Sequence, residues 1–359
     1  MSASRTVSPL ASVKKSATTL GLCLLVAIPL SAQSGKPDFS GTYDAATLTP
    51  LVRPAQFGDN LYLTPEEADK IAAEEALLIE IRNAASDPDR EAPPDGGDGS
   101  DGAAGNVGGY NTFWIDRGSE AMLVDGKFRT SILIDPPNGR FPPMTAEAME
   151  ERRRRFAGRR RGNDGTAYWI DEGDEPGPYD NMEQRNVAER CLLGFSGAAP
   201  SYPSLYNNFK RIVQTETHLM IEIEMVHDAR IVRMNSEHAP EDQRFWLGDS
   251  IGWWEDDTLV VETTNFHPLS NLRGGSEETK VTERFSRQEN GDLLYNFTVE
   301  DPATWTASWT GEYTWRQTPD DKIYEYACHE GNYSFQGIMR GARVLEQDAM
   351  DAKKKASSD

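Results

Sequence analysis

Between Thr217 and Cys328 the chain is a run of short alternating segments separated by tight turns, with no stretch long enough for a helical crossover. Thr217, Leu219, Ile221, Ile223 and Met225 alternate with His218, Met220, Glu222 and Glu224, so one face is apolar and the other mixed, at the period of a strand. A turn near His227-Asp228 leads to a second strand at 230–234. Residues 251–254 and 258–265 flank the acidic turn Glu255-Asp256-Asp257, and 280–287 and 293–299 flank Glu289-Asn290-Gly291, where Asn-Gly is a strong hairpin signal. A third hairpin is expected from 311–316 and 322–328. Parallel sheets need crossovers, so this pattern predicts a mainly β fold: an antiparallel meander closing into a calycin-like barrel or strongly curved sheet of about eight strands, with peripheral helices. A two-layer sandwich is the alternative.

Upstream, Asp38-Phe39-Ser40-Gly41-Thr42-Tyr43 reads as a short strand. Thr64-Pro65-Glu66-Glu67 supplies an N-cap, a proline at the first helical position and an acid at the third, which predicts a helix over 65–82. Residues 33–83 therefore form an N-terminal strand and helix, and 84–109, rich in Gly, Asp and Pro, a flexible loop with too little apolar surface to offset ordering. The β core is expected over 110–343, with strands at 112–115, 121–124 and 129–134, and a helix over 145–161 lying outside it. That helix carries Arg152 to Arg155 and Arg159 to Arg161, which suit either an anion site or a solvated face that answers the acidic stretch 171–180. Residues 344–359 read as a polar tail.

The first 32 residues carry Arg5, Lys14 and Lys15 without an acid, then an apolar run over 20–30 and Ser31-Ala32-Gln33, the order of a secretory signal peptide. The run is shorter than the roughly 20 residues a membrane span needs, and Leu22 before Cys23 is too large for a lipoprotein signal, so no membrane anchor is expected. Cleavage would change the net charge from −21 to −21 − 3 = −24. Such a balance disfavours nucleic acid, which a polyanion would repel. The expected location is periplasmic or secreted. Two cysteines, Cys191 and Cys328, remain after the signal, and in an oxidising compartment they most simply pair; two free thiols are the alternative, because spacing does not establish geometry.

Three stretches carry a resemblance: Gly248-Asp249-Ser250-Ile251-Gly252-Trp253-Trp254-Glu255-Asp256-Asp257-Thr258-Leu259-Val260-Val261-Glu262-Thr263-Thr264-Asn265-Phe266, Val299-Glu300-Asp301-Pro302-Ala303-Thr304-Trp305-Thr306, and Glu325-Tyr326-Ala327-Cys328-His329-Glu330-Gly331-Asn332-Tyr333. Over about 110–343 the chain resembles a widespread group of exported bacterial proteins without an assigned activity. Asp256 stands where those proteins usually have a turn glycine. The resemblance implies export and a shared β core, and nothing about substrate.

The chemistry must therefore come from the residues. No two histidines have a compact metal-ligand spacing, no glycine fingerprint for a nucleotide is present, and Asp249-Ser250 lacks the Gly-x-Ser-x-Gly elbow, so neither metal nor cofactor is expected. If alternation continues past Met225, His227 points to the apolar side, where Asp228, Glu224 or Glu330 could orient it for proton transfer; a hydrogen-bonded turn histidine is the plainer alternative. Cys328-His329-Glu330-Gly331-Asn332-Tyr333 reads as a pocket rim with His329 or Glu330 as acid or base and Asn332 or Tyr333 holding an oxygen, or else as a disulfide-fixed corner. A Cys191–Cys328 bond would bring Arg190 to that corner as an anion ligand. Arg230, Trp253 and Trp254 complete the ligand-binding candidates, with most other aromatics assigned to the core.

Two functions fit: an exported acid/base enzyme (lyase, isomerase or hydrolase) acting on a small aromatic, lipid-like or carbohydrate molecule, catalysed by His227, Asp228, His329 and Glu330, or a non-catalytic protein that binds such a ligand. Nothing in the residues sets an oligomeric state.

Overall fold

A computed structural model of the protein describes residues 35–83, 115–157, 165–173, 177–270 and 275–358. The expected signal peptide (1–32), the loop 84–109, the strand residues 112–114 and the arginines 159–161 lie outside the described residues.

Nine strands close into a barrel: β1 (Gly41–Asp44), β5 (Phe209–Gln214), β6 (His218–Ile223), β7 (Ala229–Met234), β8 (Asp249–Glu255), β9 (Thr258–Thr264), β10 (Lys280–Arg287), β11 (Leu293–Glu300) and β12 (Trp309–Gln317), with β1 pairing β12 to complete the ring. A short β4 (Leu133–Asp135) pairs with the other half of the β12 edge, and β2 (Leu123–Val124) with β3 (Lys127–Phe128) forms a separate ribbon. Closure leaves each barrel strand paired on both sides, which removes the exposed edge a nine-stranded open sheet would carry.

The expected Asn290-Gly291 hairpin joins β10 to β11, with Gly291 at φ 94°. Asp256 takes the left-handed turn position between β8 and β9 at φ 49°, a conformation that aspartate tolerates better than most side chains, so the hairpin forms without a glycine there. In β6, Leu219, Ile221 and Ile223 are buried as the alternation predicts.

Two expectations about topology are corrected. The meander is interrupted once, because β7 and β8 run parallel. No helix makes that crossover; residues 235–248 return along the barrel side, held by Asn265 Nδ2 donating to the carbonyls of Ala239 and Pro240 and by Asp249 Oδ2 accepting from the Ala239 amide. The third hairpin does not form. The β12 edge that 322–328 would have joined is occupied by β1 and β4, and Cys328 instead opens a helical turn.

Helices lie outside the barrel. α1 (Pro65–Asn83) starts with the predicted reciprocal cap, Glu67 N donating to Thr64 Oγ1 and Thr64 N to Glu67 Oε2, and buries Ala68 against Leu63 and Ala121, with Ile71 partly buried beside them. α2 (Ala146–Ala157) is the arginine-rich helix; Arg153 and Arg154 pair with Glu150 and Glu151 on its own exposed surface rather than with the stretch 171–180. α3 (Tyr168–Glu172) receives the C-terminal helix: α4 (Cys328–Gly331) leads into α5 (Tyr333–Ala356), whose Ala342, Leu345 and Ala349 pack on Trp169. Residues 344–356, expected as a polar tail, are therefore helical because one stripe has an apolar partner.

The strand register sorts the lumen into two chemistries. At one end are Phe39, Trp254, Leu259, Phe285 and Trp315, all at most partly exposed and joined by ring contacts such as Phe39–Trp254 (5.4 Å) and Phe285–Trp315 (5.5 Å). Toward the end where β6 hands over to β7, Lys210, Arg230, Ser250, Thr263 and Glu283 are inward and buried, while Val281, Val299 and Trp309 keep the β10–β12 side of that end apolar.

Candidate active site

The β6–β7 connection does not continue the alternation. Met225–His227 forms a single helical turn in which Val226 sits at φ 61° and His227 at φ 44°. A β-branched residue in the left-handed region is strained, so its neighbours must hold it there. The turn rotates the next two side chains by an odd step: His227 goes to solvent and Asp228 goes inward, 7% exposed. This corrects the inward direction expected for His227. Asp228 Oδ2 accepts from the Gly194 amide at 2.8 Å, and a Cβ on Gly197 would lie 2.1 Å from the same oxygen, so only glycine permits this approach.

Gly194 and Gly197 belong to a segment, 193–202, that caps the polar end of the lumen. Leu193, Ser196, Ala199, Ser201 and Tyr202 are buried, the Ser201 amide donates to Tyr295 Oη (2.9 Å), and Tyr313 Oη donates to the Ser201 carbonyl (2.9 Å). Beneath it Arg230 is fork-bonded to Glu283, with Nη2 2.8 Å from Oε1, and also donates to Thr263 Oγ1; Tyr295 Oη donates to Glu283 Oε1 at 2.7 Å. Burial works against the guanidinium, but Glu283 outweighs it and keeps Arg230 firmly charged. Arg230 is thus spent on an internal ion pair instead of standing ready for a ligand.

A second charged group flanks Asp228. Lys210, on β5 between Tyr43 and Ile223, has no exposed surface, and its Nζ has no hydrogen-bond partner. Burial lowers its pKa to about 7, against the opposing pull of Glu224, Asp228 and Asp44. Burial raises the pKa of Glu224, although the Phe209 amide and the Asn207 side chain favour its ionised form. Burial likewise raises that of Asp228, against the Gly194 amide and the nearby His227 and Lys210. An amine pushed down and two carboxyls pushed up in one neighbourhood are the kind of perturbed set that marks a candidate functional site.

Above these groups an open cleft of about 820 Å³ is lined by Glu189, Cys191, Tyr206, Asn207, Tyr326 and Asn332, among others. Cys191 and Cys328 form the expected disulfide, Cα–Cα 5.7 Å, and it joins the two walls. Asn332 Nδ2 adds bonds to the Glu189 carbonyl (2.7 Å) and to Cys191 Sγ (3.4 Å), while its Oδ1 accepts from the Phe335 amide at the start of α5. Asn207, also at positive φ (56°), lines the cleft and touches Glu224, so the cleft floor reaches the buried group through one side chain.

The disulfide and the Gly194–Asp228 bond place Asp228, Arg190, Cys191, Cys328 and Asn332 at one end of the molecule. Arg190 lies beside the cleft wall with its Nη1 buried and unpartnered. His227, His329, Glu330 and Tyr333 are exposed, and neither histidine lines the cleft. Trp253 and Trp254 lie elsewhere: β8 runs parallel to β7, which carries them toward the end opposite Asp228, where Trp254 packs on Phe39 and Trp253 donates to Glu255. Sequence reasoning named Glu224 only as a possible partner and missed Lys210 and Glu283, whose signal is a charged residue at the inward parity of a strand. Among the described residues no three His, Cys, Asp or Glu side chains form a group that could hold a metal ion, and no helix is long and apolar enough to cross a membrane. The chain matches no protein-family model and no curated protein.

Proposed function

We propose that the protein is an exported acid/base enzyme, a lyase, isomerase or hydrolase, that receives a small aromatic or carbohydrate molecule in the cleft at the disulfide corner. The observation that carries this reading is the buried group of Lys210, Glu224 and Asp228, in which burial favours the neutral form of every member. An amine that loses its proton more readily and carboxyls that hold theirs more tightly can pass a proton between them, which is the pairing that general acid/base catalysis needs. Tyr206 and Tyr326 offer faces for a ring, and Asn207, Asn332 and Ser334 offer donors and acceptors for hydroxyls. A disulfide between the only cysteines of the expected mature chain agrees with an oxidising compartment. In this reading His329, Glu330 and Tyr333 stand at the outer rim and contribute to access instead of to chemistry.

The test uses 5-nitrobenzisoxazole, whose ring opening needs only a general base, alongside p-nitrophenyl esters and glycosides. Wild-type protein should accelerate at least one of these over buffer, and Lys210→Met or Asp228→Asn should reduce that rate by about 10² or more while circular dichroism stays unchanged. Rates equal to buffer for every probe, or unaffected by both substitutions, would defeat the proposal. The complete burial of Lys210 favours the second reading, a non-catalytic small-ligand-binding protein, and saturable probe binding without turnover would select it.

A further inference from the structure

We propose that Lys210 captures a substrate carbonyl, its unpartnered amine forming an imine with an aldehyde or ketone while the Glu224 and Asp228 carboxyls handle the protons. This deepens the acid/base reading of the same site and rests on it. Among the described residues Lys210 is the only buried lysine, and a buried polar group without a partner forfeits its hydration, which calls for an explanation in the chemistry of the site. A second orphan lies on the capping segment: Ser196 Oγ is buried without a partner, two residues from the amide that holds Asp228. A buried amine without a partner, in the neighbourhood of carboxyls whose hold on a proton burial strengthens, has what carbinolamine formation requires. Asn207 lines the cleft and bonds Glu224, and Lys210 lies below that lining without exposed surface, so capture requires the carbonyl to pass Asn207.

The step balances without an oxidant. The Nζ lone pair attacks the carbonyl carbon, the carbonyl π pair moves to oxygen, and that oxygen takes a proton from Glu224 or Asp228. The resulting carboxylate removes the proton from nitrogen, the hydroxyl is protonated and leaves as water, and the net change is amine plus carbonyl giving imine plus water. A protonated imine acidifies the adjacent C–H, which fits the lyase and isomerase branches of the proposed activity better than the hydrolase branch. A hydroxy-aldehyde or keto compound therefore becomes the expected substrate class.

Wild-type full-length exported protein is incubated at pH 7 with glycolaldehyde, pyruvate or benzaldehyde and sodium cyanoborohydride, which reduces an imine to a stable amine. Peptide mapping should place an adduct on Lys210, formed at least about tenfold faster than on the exposed Lys70 or Lys127. Lys210→Met and Lys210→Arg should abolish that adduct and leave the surface ones. Adducts confined to surface lysines, or Lys210 reacting no faster than they do, overturn the inference. If benzisoxazole turnover persists in that case, the base reading stands and carbonyl capture alone fails; if both are absent, both fail.

Discussion

The two ends of the barrel lumen are built on the same strands and the same inward parity, yet they spend their residues differently. At the aromatic end Trp315 and Phe285 are fully buried and pack on each other, so burial there is nearly all apolar gain. At the polar end Lys210 and Glu283 have no exposed surface and Arg230 and Asp228 very little; desolvation outweighs the partners of Lys210 and Asp228, whereas Glu283 more than offsets it at Arg230. Four of the left-handed non-glycine residues, Cys191, Asn207, Val226 and His227, also cluster at the polar end. Strain and buried charge thus accumulate around the cleft while the other end carries the packing, a division in which one half of a closed barrel can tolerate what the other half stabilises.

The comparison breaks most sharply under truncation of the core. Trp315→Ala should cost about 3–5 kcal/mol in urea unfolding, because a fully buried indole leaves a cavity among rings that cannot collapse onto it. A loss under 1 kcal/mol would contradict a packed aromatic end. Glu283→Gln should cost a similar ~3–5 kcal/mol, since Arg230 keeps its charge in a site without exposed surface for its partner, and the double change Arg230→Met with Glu283→Gln should recover a large part of it. Failure of the double variant to recover would mean that the pair is not the source of the effect.

Removing the disulfide comes next. Cys191→Ser with Cys328→Ser should lower stability by roughly 2–4 kcal/mol and, because the bond and Asn332 join the cleft walls, should weaken probe binding more than it disturbs near-ultraviolet dichroism of the aromatic end. Equal loss of both signals would show that the two ends unfold as one unit.

The pH dependence sharpens the contrast further. Lys210 binds its proton less tightly in the folded state, with a pKa of about 7 against about 10.4 when unfolded. Between those values the unfolded chain holds more protons, so this group makes stability rise with pH from about 7 toward 10. Wild type should therefore gain on Lys210→Met over that window, and parallel pH profiles would count against a desolvated lysine. Glu224 and Asp228 act in the opposite sense, their raised pKa values making stability fall as pH climbs through the range above an ordinary carboxylate. The smallest effect belongs to the exposed rim: His329→Ala should change stability by less than about 0.5 kcal/mol and leave probe turnover within twofold. A larger drop in turnover would return His329 to the chemistry.

Alternation in 217–225, the Asn290-Gly291 turn, the Thr64 cap and two leftover cysteines made the β class, one hairpin, α1 and the disulfide legible from residue order alone, because each rests on contacts between near neighbours or on a count. Barrel closure by β1 on β12, the parallel β7–β8 pair and the fate of 318–327 depended on which distant segment occupied a given edge, and no local pattern records that competition. The same holds for the site. His227 and Asp228 could be singled out from the sequence, but a left-handed Val226 exchanged the directions of the next two side chains. Lys210 became a candidate only when folding stripped it of water, since a lysine in an isolated strand is an ordinary cation and its altered proton affinity is a property of what surrounds it.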